Sequence, residues 1–267
     1  IARIGTILYE NLQDAVAAVE AMENKTAVIE MMSNISLTET ITIPENCHIT
    51  LKDDGVAART ITRSKNWSKA ENDAMFALKE GSQLSFASTS KNDNKIMLTV
   101  DGNKANVTAT KTSRMVQIPA KATVNIGAGV KISNHKIEGG KKETHGAAIS
   151  VDGGTFNMTG GIVDGNEVVG TDNAGGGINV AAKGSIVNIT GGTFSNNVSE
   201  KSNGGALNIW ADSTVVVKNA TFSKNKAGNH GGAIRMQKDS LNVTLTVDHC
   251  TFESNEAAYG AAVGHAA

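Results

Sequence analysis

The 267-residue sequence predicts an all-β chain wound as a right-handed parallel β-helix, a solenoid of three sheets behind an N-terminal capping helix. Its coils are expected to hold about 27–32 residues, and one domain is expected to span 1–267. Three recurring patterns lead to this fold. Small-residue clusters followed by an aliphatic residue return as Gly146-Ala147-Ala148-Ile149, Gly175-Gly176-Gly177-Ile178, Gly204-Gly205-Ala206-Leu207, Gly231-Gly232-Ala233-Ile234 and Gly260-Ala261-Ala262-Val263. Their starts are 29, 29, 27 and 29 residues apart. Between them fall Val163-x-x-Asn166, Phe194-x-x-Asn197, Phe222-x-x-Asn225 and Phe252-x-x-Asn255. The third pattern is a short alternating strand, seen at Leu84–Phe86, Val124–Ile126, Phe156–Met158, Val187–Ile189, Val215–Val217 and Leu245–Val247. Each period therefore contains three short strands separated by Gly, Asn and Asp turns. It leaves no room for the 10–15-residue helical pattern of a βαβ unit. Strands in register from coil to coil form parallel sheets spaced at about 4.8 Å along the axis.

The elements follow in chain order. Asn11 with Asp14 reads as a helix N-cap with an acidic third residue. Leu12, Val16, Val19 and Met22 then fall on one helical face, so 11–22 is the expected cap. An open solenoid end exposes strand edges and core, which is why the first coil needs such cover. Strands are expected near 27–32, 40–43 and 48–51, completing a cap-and-first-coil segment over 1–55. Residues 56–113 read as irregular early coils, with the polar stretch 52–73 a loop excursion that holds Trp67. Residues 114–267 carry the regular repeats. With no comparable cap at that end, the natural chain is expected to continue past Ala267.

The repeat asparagines suit left-handed turns, and stacked Asn amides can bond one another along the axis. At similar spacing the series extends backward to Asn134 and Asn103. Cys250 takes the repeat slot of Gly161, Gly192 and Ala220, a small buried position. In a solenoid Cys47 lies far from it, so both are expected unpaired. No CxxC or Cys/His cluster points to a metal, and no cofactor is expected.

A share of 40% hydrophobic and 19% charged residues excludes wholesale disorder. A net charge of −1 and 4% aromatics argue against nucleic acid as partner. No apolar run reaches the length of a membrane span.

The pairing of Gly204-Gly205-Ala206-Leu207 and Gly231-Gly232-Ala233-Ile234 with Phe194-Ser195-Asn196-Asn197, Phe222-Ser223-Lys224-Asn225 and Phe252-Glu253-Ser254-Asn255 resembles the signature of chlamydial polymorphic membrane proteins and similar autotransporter passengers. The opening, from Ile4-Gly5 through Leu12–Val16 to Thr40–Pro44, resembles the capped start of pectate-lyase-like β-helix domains on bacterial surface proteins. The resemblance implies an extracellular protein displayed on the bacterial cell surface or secreted. That superfamily includes adhesins, stalks, polysaccharide lyases and glycoside hydrolases, so it implies a fold more sharply than a function.

Hydrolases of this shape need two carboxylates at a defined separation, and lyases need a base with acidic groups holding calcium. Asp101, Glu138, Asp164, Glu167, Asp172, His145, His230 and Arg235 are the groups to weigh. Asp101 and Asp164 sit in equivalent Asp-Gly-Asn turns, where an Asp commonly accepts from its own backbone. The run Gly228-Asn229-His230-Gly231 only superficially echoes the Gly-His-Gly of polygalacturonase-like enzymes. No catalytic or metal-binding residue is therefore assigned. For ligand binding the expected residues are Trp210, which follows Ile209 and should point outward, together with Trp67 and Tyr259. The expected function is a non-catalytic surface adhesin or glycan- or host-binding module. A stalk projecting another domain and a polysaccharide-active enzyme are the alternatives.

Overall fold

Alternation of inward apolar and outward polar residues builds the fold, here described in a computed structural model for residues 1–67, 74–107, 114–137, 148–171, 174–210, 212–237 and 242–265. Each coil gives one strand in turn to three sheets. Sheet 1 holds ten strands, among them Thr26–Met31, His48–Asp53, Gln83–Ala87, Thr123–Ile126, Thr155–Met158, Ser185–Ile189, Ser213–Lys218 and Thr244–Asp248. Sheet 2 runs from Ile35–Leu37 to Thr251–Glu253 and sheet 3 from Ile41–Ile43 to Val263–His265, each of eight parallel strands. A fourth, narrow sheet was not anticipated. It consists of Lys136–Ile137, Glu167–Val168, Val198–Ser199 and Lys226–Ala227, directly after the sheet 2 strands. Two-residue strands are too short to show any alternation, so the sequence carried no sign of them.

Coil length is regular only in the second half. Register partners along sheet 1 are 22 residues apart at Ile29 and Leu51, 35 at Leu51 and Phe86, and 40 at Phe86 and Ile126. From Ile126 onward the steps are 32, 31, 28 and 30.

The cap is helix α1, Leu12–Glu20, which stops before Met22. The Asn11 side chain accepts from the Asp14 N–H at 2.8 Å, satisfying one of the helix's orphan donors. Leu12, Ala15, Val16 and Val19 are buried on the face turned to the first coil. A hairpin of Ala2–Ile4 and Ile7–Tyr9 adds antiparallel to Thr26–Met31 and closes the first edge of sheet 1. Within 52–73, expected as an excursion, Arg59–Arg63 is instead a strand of sheet 2, paired with Ile35–Leu37 and Leu98–Asp101. Its Arg and Thr content masks a single inward apolar residue, Ile61.

Inside, equivalent side chains stack in files. Phe194, Phe222 and Phe252 lie ring over ring at 4.9 and 5.2 Å. Burying each such ring contributes roughly 1.5–3 kcal/mol. Beside them runs the asparagine ladder. The side-chain amides of Asn166, Asn197 and Asn225 each donate at 3.0 Å to Oδ1 of the next Asn, ending at Asn255. Their second N–H groups reach the carbonyls of Ile132, Val163 and Phe194 in the coil before. Each receiving Oδ1 also accepts the backbone N–H of the preceding rung, so these buried amides leave no polar group unpaired.

The ladder does not extend through Asn134 and Asn103 as expected. Pairing of Ile132 with Val163 places His135, not Asn134, in the ladder slot, and the His135 N–H donates to Asn166 Oδ1 at 3.2 Å. Asn134 occupies the left-handed position before it, with φ of 58°, shared by Asn196 and Lys224. Asn103 is also left-handed, but bonds the Arg63 carbonyl. Both Cys47 and Cys250 are free thiols, and burial pushes the Cys47 pKa up.

Candidate functional site

Outward residues of a solenoid sheet normally face water, yet on sheet 3 they are buried from Ser150 to Arg235. Gln117, Ser150, Asn179, Asn208 and Arg235 form one file by strand register. Of these, Ser150, Asn179 and Asn208 are fully covered and Arg235 is 4% exposed. The small-residue clusters explain the cover. After the sheet 4 strands Val198–Ser199 and Lys226–Ala227 the chain arches back to sheet 3, and the clusters at Gly204 and Gly231 are the feet of those arches. Gly204 has φ of +64°, and a Cβ there would stand 2.8 Å from Asn208 Cβ. A Cβ on Gly205 would stand 2.6 Å from the Lys226 nitrogen in sheet 4. The first glycine supplies the left-handed turn and the second permits backbone-to-backbone approach.

Under the arches the file is knit together. Ser150 Oγ and Gln117 Nε2 donate to the Asp152 carboxylate at 2.6 and 2.9 Å, with Arg114 3.8 Å away. Asn208 donates to Asn179 Oδ1 at 2.6 Å, and Arg235 Nη1 donates to Asn208 Oδ1 at 3.2 Å. Arg235 also donates to the Gln237 side chain.

In the last coils the file emerges as an aromatic patch. The Arg235 guanidinium lies 5.4 Å from the centre of the Trp210 ring, a cation–π arrangement, and Trp210 stays 45% exposed. His230 and Tyr259 stack at 4.9 Å in neighbouring coils, each immediately before an arch glycine, and Tyr259 is 65% exposed. Gly231, next to His230, packs so closely that a Cβ there would stand 2.7 Å from Arg235 Cβ. Trp210 and Tyr259 therefore fall on the sheet 3 side of the later coils. Trp67 does not join them. It lies in the second coil, half-buried and packed against the core, with its Nε1 buried without an acceptor. Sequence reasoning singled out Trp210 and Tyr259 as candidate ligand-binding rings and weighed Arg235 and His230 only for catalysis, because these two lie in different coils from the rings they face.

The acidic and basic groups weighed for catalysis do not converge. Asp101 accepts the N–H of Asn103 in its own turn at 2.6 Å and the amide of Asn134 at 2.9 Å. Asp164 is bound by Lys131 at 2.7 Å, Ser195 at 2.7 Å and Asn196 at 2.8 Å. Burial pushes its pKa up, but these bonds outweigh it and hold the carboxyl below its ordinary value. Glu167 pairs with Lys136 at 2.9 Å and Lys104 at 3.6 Å. These acids belong to sheets 2 and 4, whereas His230 and Arg235 belong to the sheet 3 side. Glu138, His145 and Asp172, with Gly146 and Ala147 of the first cluster, lie outside the described residues. Among the described residues no three His, Cys, Asp or Glu side chains gather as a metal site, and no helix is long and apolar enough to cross a membrane.

The model of the right-handed β-helix region matches residues 122–267, more than half of the chain. The chain belongs to the right-handed β-helix family. In this β-helix the matched segment opens at Ala122, close to where the coil spacing becomes regular at Ile126. No curated protein and no solved structure matches the chain. The family describes a scaffold, and the same scaffold hosts unrelated activities, so function has to be argued from the surface.

Proposed function

We propose that this β-helix is an extracellular bacterial surface module, adhesin-like and non-catalytic, that binds a glycan or a host-surface ligand through the aromatic patch on sheet 3. The observation that carries the reading is Trp210, half-exposed yet fixed over the Arg235 guanidinium. A ring already held in place loses little freedom on binding, and its apolar face suits the C–H face of a sugar ring. Tyr259, backed by His230, adds a second exposed ring with a polar tip on the same face. The pairing of Gly-Gly-Ala-aliphatic with Phe-x-x-Asn, similar to chlamydial and autotransporter passengers, supports display outside the cell. Asp101, Asp164 and Glu167 are tied up by structural partners, which favours binding over hydrolysis.

Glycan-array binding of wild type and Trp210→Ala, run beside a polysaccharide cleavage assay, tests the reading. The expected result is saturable binding that falls about tenfold or more in Trp210→Ala, with no cleavage. Equal binding by both proteins removes the patch from the reading, and cleavage by the wild type replaces it with an enzyme. Binding to no array member favours a stalk.

A further inference from the structure

The first edges of the sheets are finished differently. The Ala2–Tyr9 hairpin closes that of sheet 1, whereas Ile41–Ile43, the first strand of sheet 3, has Ala74–Leu78 as its one strand neighbour among the described residues. The Lys79 N–H donates to the Ile43 carbonyl at 3.0 Å, so Ile43, and by alternation Ile41, turn their main-chain groups toward Ala74–Leu78. Thr42, between them, turns its N–H and C=O to the open edge. That edge faces a cavity of about 410 Å³ between the strand and helix α1. Val16 and Ala17 of the helix and Pro44 beyond the strand give it an apolar wall, and the exposed Glu20 and Glu45 stand on its rim against one base, Lys79. Thr40 Oγ1, also lining it, is buried without a hydrogen-bond partner. The acid excess extends through the cap segment: residues 1–55 hold nine Asp and Glu against three Lys and Arg, in a chain whose net charge is −1. The matching cleft beside Ile35–Leu37 of sheet 2 is lined mostly by polar side chains, among them Asn11, Asp14 and Glu39.

We infer that this groove receives an extended, basic segment of a partner polypeptide, which adds to sheet 3 as a strand beside Ile41–Ile43. An open strand edge is a template for pairing, because it holds N–H and C=O groups at the spacing that another backbone matches. Main-chain pairing supplies affinity without reading side chains, so the walls of the groove set the selectivity. Apolar side chains of the partner suit Val16, Ala17 and Pro44, and its Lys or Arg side chains suit Glu20 and Glu45. The same carboxylates repel an acidic segment, a polyanion or an anionic membrane. Pro44 has no N–H to offer and ends the open edge, so the added strand is short. The groove lies at the first coil, away from the Trp210 patch, and the inference does not rest on the adhesin reading.

The test is fluorescence anisotropy of the intact chain with a short labelled peptide of alternating Val and Lys. The controls are the same peptide with Glu in place of Lys, and the Val–Lys peptide N-methylated at every peptide bond, which keeps its charge but cannot donate. The wild type is expected to bind the Val–Lys peptide saturably and both controls at least about tenfold more weakly. Thr42→Pro removes the N–H that faces the open edge and leaves the ladder to Ala74–Leu78 in place, where an edge strand tolerates proline. It is expected to weaken binding about tenfold with circular dichroism unchanged. The N-methylated peptide makes the same cut from the partner's side and needs no variant. Glu20→Lys combined with Glu45→Lys is expected to reverse the preference toward the Val–Glu peptide, and Trp210→Ala to bind as the wild type does. No binding of the Val–Lys peptide overturns the inference, and so does equal binding of its N-methylated form, which would show charge attraction alone. Undiminished binding by folded Thr42→Pro, an unmoved preference in the double variant, or loss in Trp210→Ala each overturns it as well.

Discussion

The first and the last described coils carry the same kind of inward residues in different surroundings. At the N-terminal end Ile29 and Met31 are fully buried beneath helix α1 and the Ala2–Tyr9 hairpin. In the last coil Val247 and Val263 are 38% and 43% exposed, and Phe252 and Asn255 are half-buried although their counterparts Phe222 and Asn225 are fully covered. Burial of a repeat residue thus depends on having a coil on both sides, as expected where stability is a sum of nearest-neighbour terms. Phe222→Ala should cost about 3–5 kcal/mol, because its ring is enclosed by stacked rings above and below. Phe252→Ala should cost roughly half of that, since one face of its ring already meets water. Denaturant midpoints measured at constant m-value decide this. Equal losses at the two positions would break the nearest-neighbour account.

The buried ladder gives a second, smaller contrast. Asn197→Ala removes the acceptor for both the side chain and the backbone N–H of Asn166, and leaves Asn225 Oδ1 with only the backbone N–H of residue 197 as donor. A loss of about 2–4 kcal/mol is expected, as each buried polar group left unpaired costs about 1–3 kcal/mol. Asn255→Ala, with solvent within reach of the orphaned groups, should cost about 1 kcal/mol. Hydrogen exchange at the Asn166 amide would sharpen the result. Protection there should collapse in Asn197→Ala and persist in Asn255→Ala.

The third contrast concerns the cap itself. Asn11→Ala removes the side chain that receives the Asp14 N–H and should cost about 1 kcal/mol. The loss should appear as faster exchange in α1 and Thr26–Met31 while the last coil is unchanged. An equal rise at both ends would mean that the cap stabilises the whole solenoid cooperatively.

How much of this was legible in the sequence follows from the same physics. Phe194, Phe222 and Phe252 repeat at fixed spacing because they stack on one another, so a period in the sequence is a contact in space. Asn11 and Asp14 were legible because a helix cap is local. His135 was not, because its membership of the ladder depends on register with Val163, and a one-residue offset hid it behind Asn134. Likewise the patch showed only its exposed rings. Arg235 beneath Trp210 is a contact between coils of side chains that share no motif. The arches over sheet 3 were visible only as glycine clusters, since what lies beneath them is set by the return path of the chain.

The smallest expected effect is a pH dependence in the body of the solenoid. For Asp164 and Asp53 burial pushes the pKa up, but hydrogen bonds outweigh it, from Lys131, Asn196 and Ser195 in one case and from Thr89, Gly55 and Ser88 in the other. Both folded values therefore lie below the unfolded value of about 3.9. A carboxyl depressed by folding adds stability that is fully present above the unfolded pKa and is lost as pH falls through the folded one. Stability should thus hold from neutral pH down to about pH 4 and decline below it. Asp164→Asn should flatten that decline while leaving the response of the first coils, where Asp53 sits, unchanged. Chemical denaturation repeated down the acid range reads the slope directly. An unchanged slope in Asp164→Asn would assign the acid sensitivity to Asp53 and the capped end rather than to the regular coils.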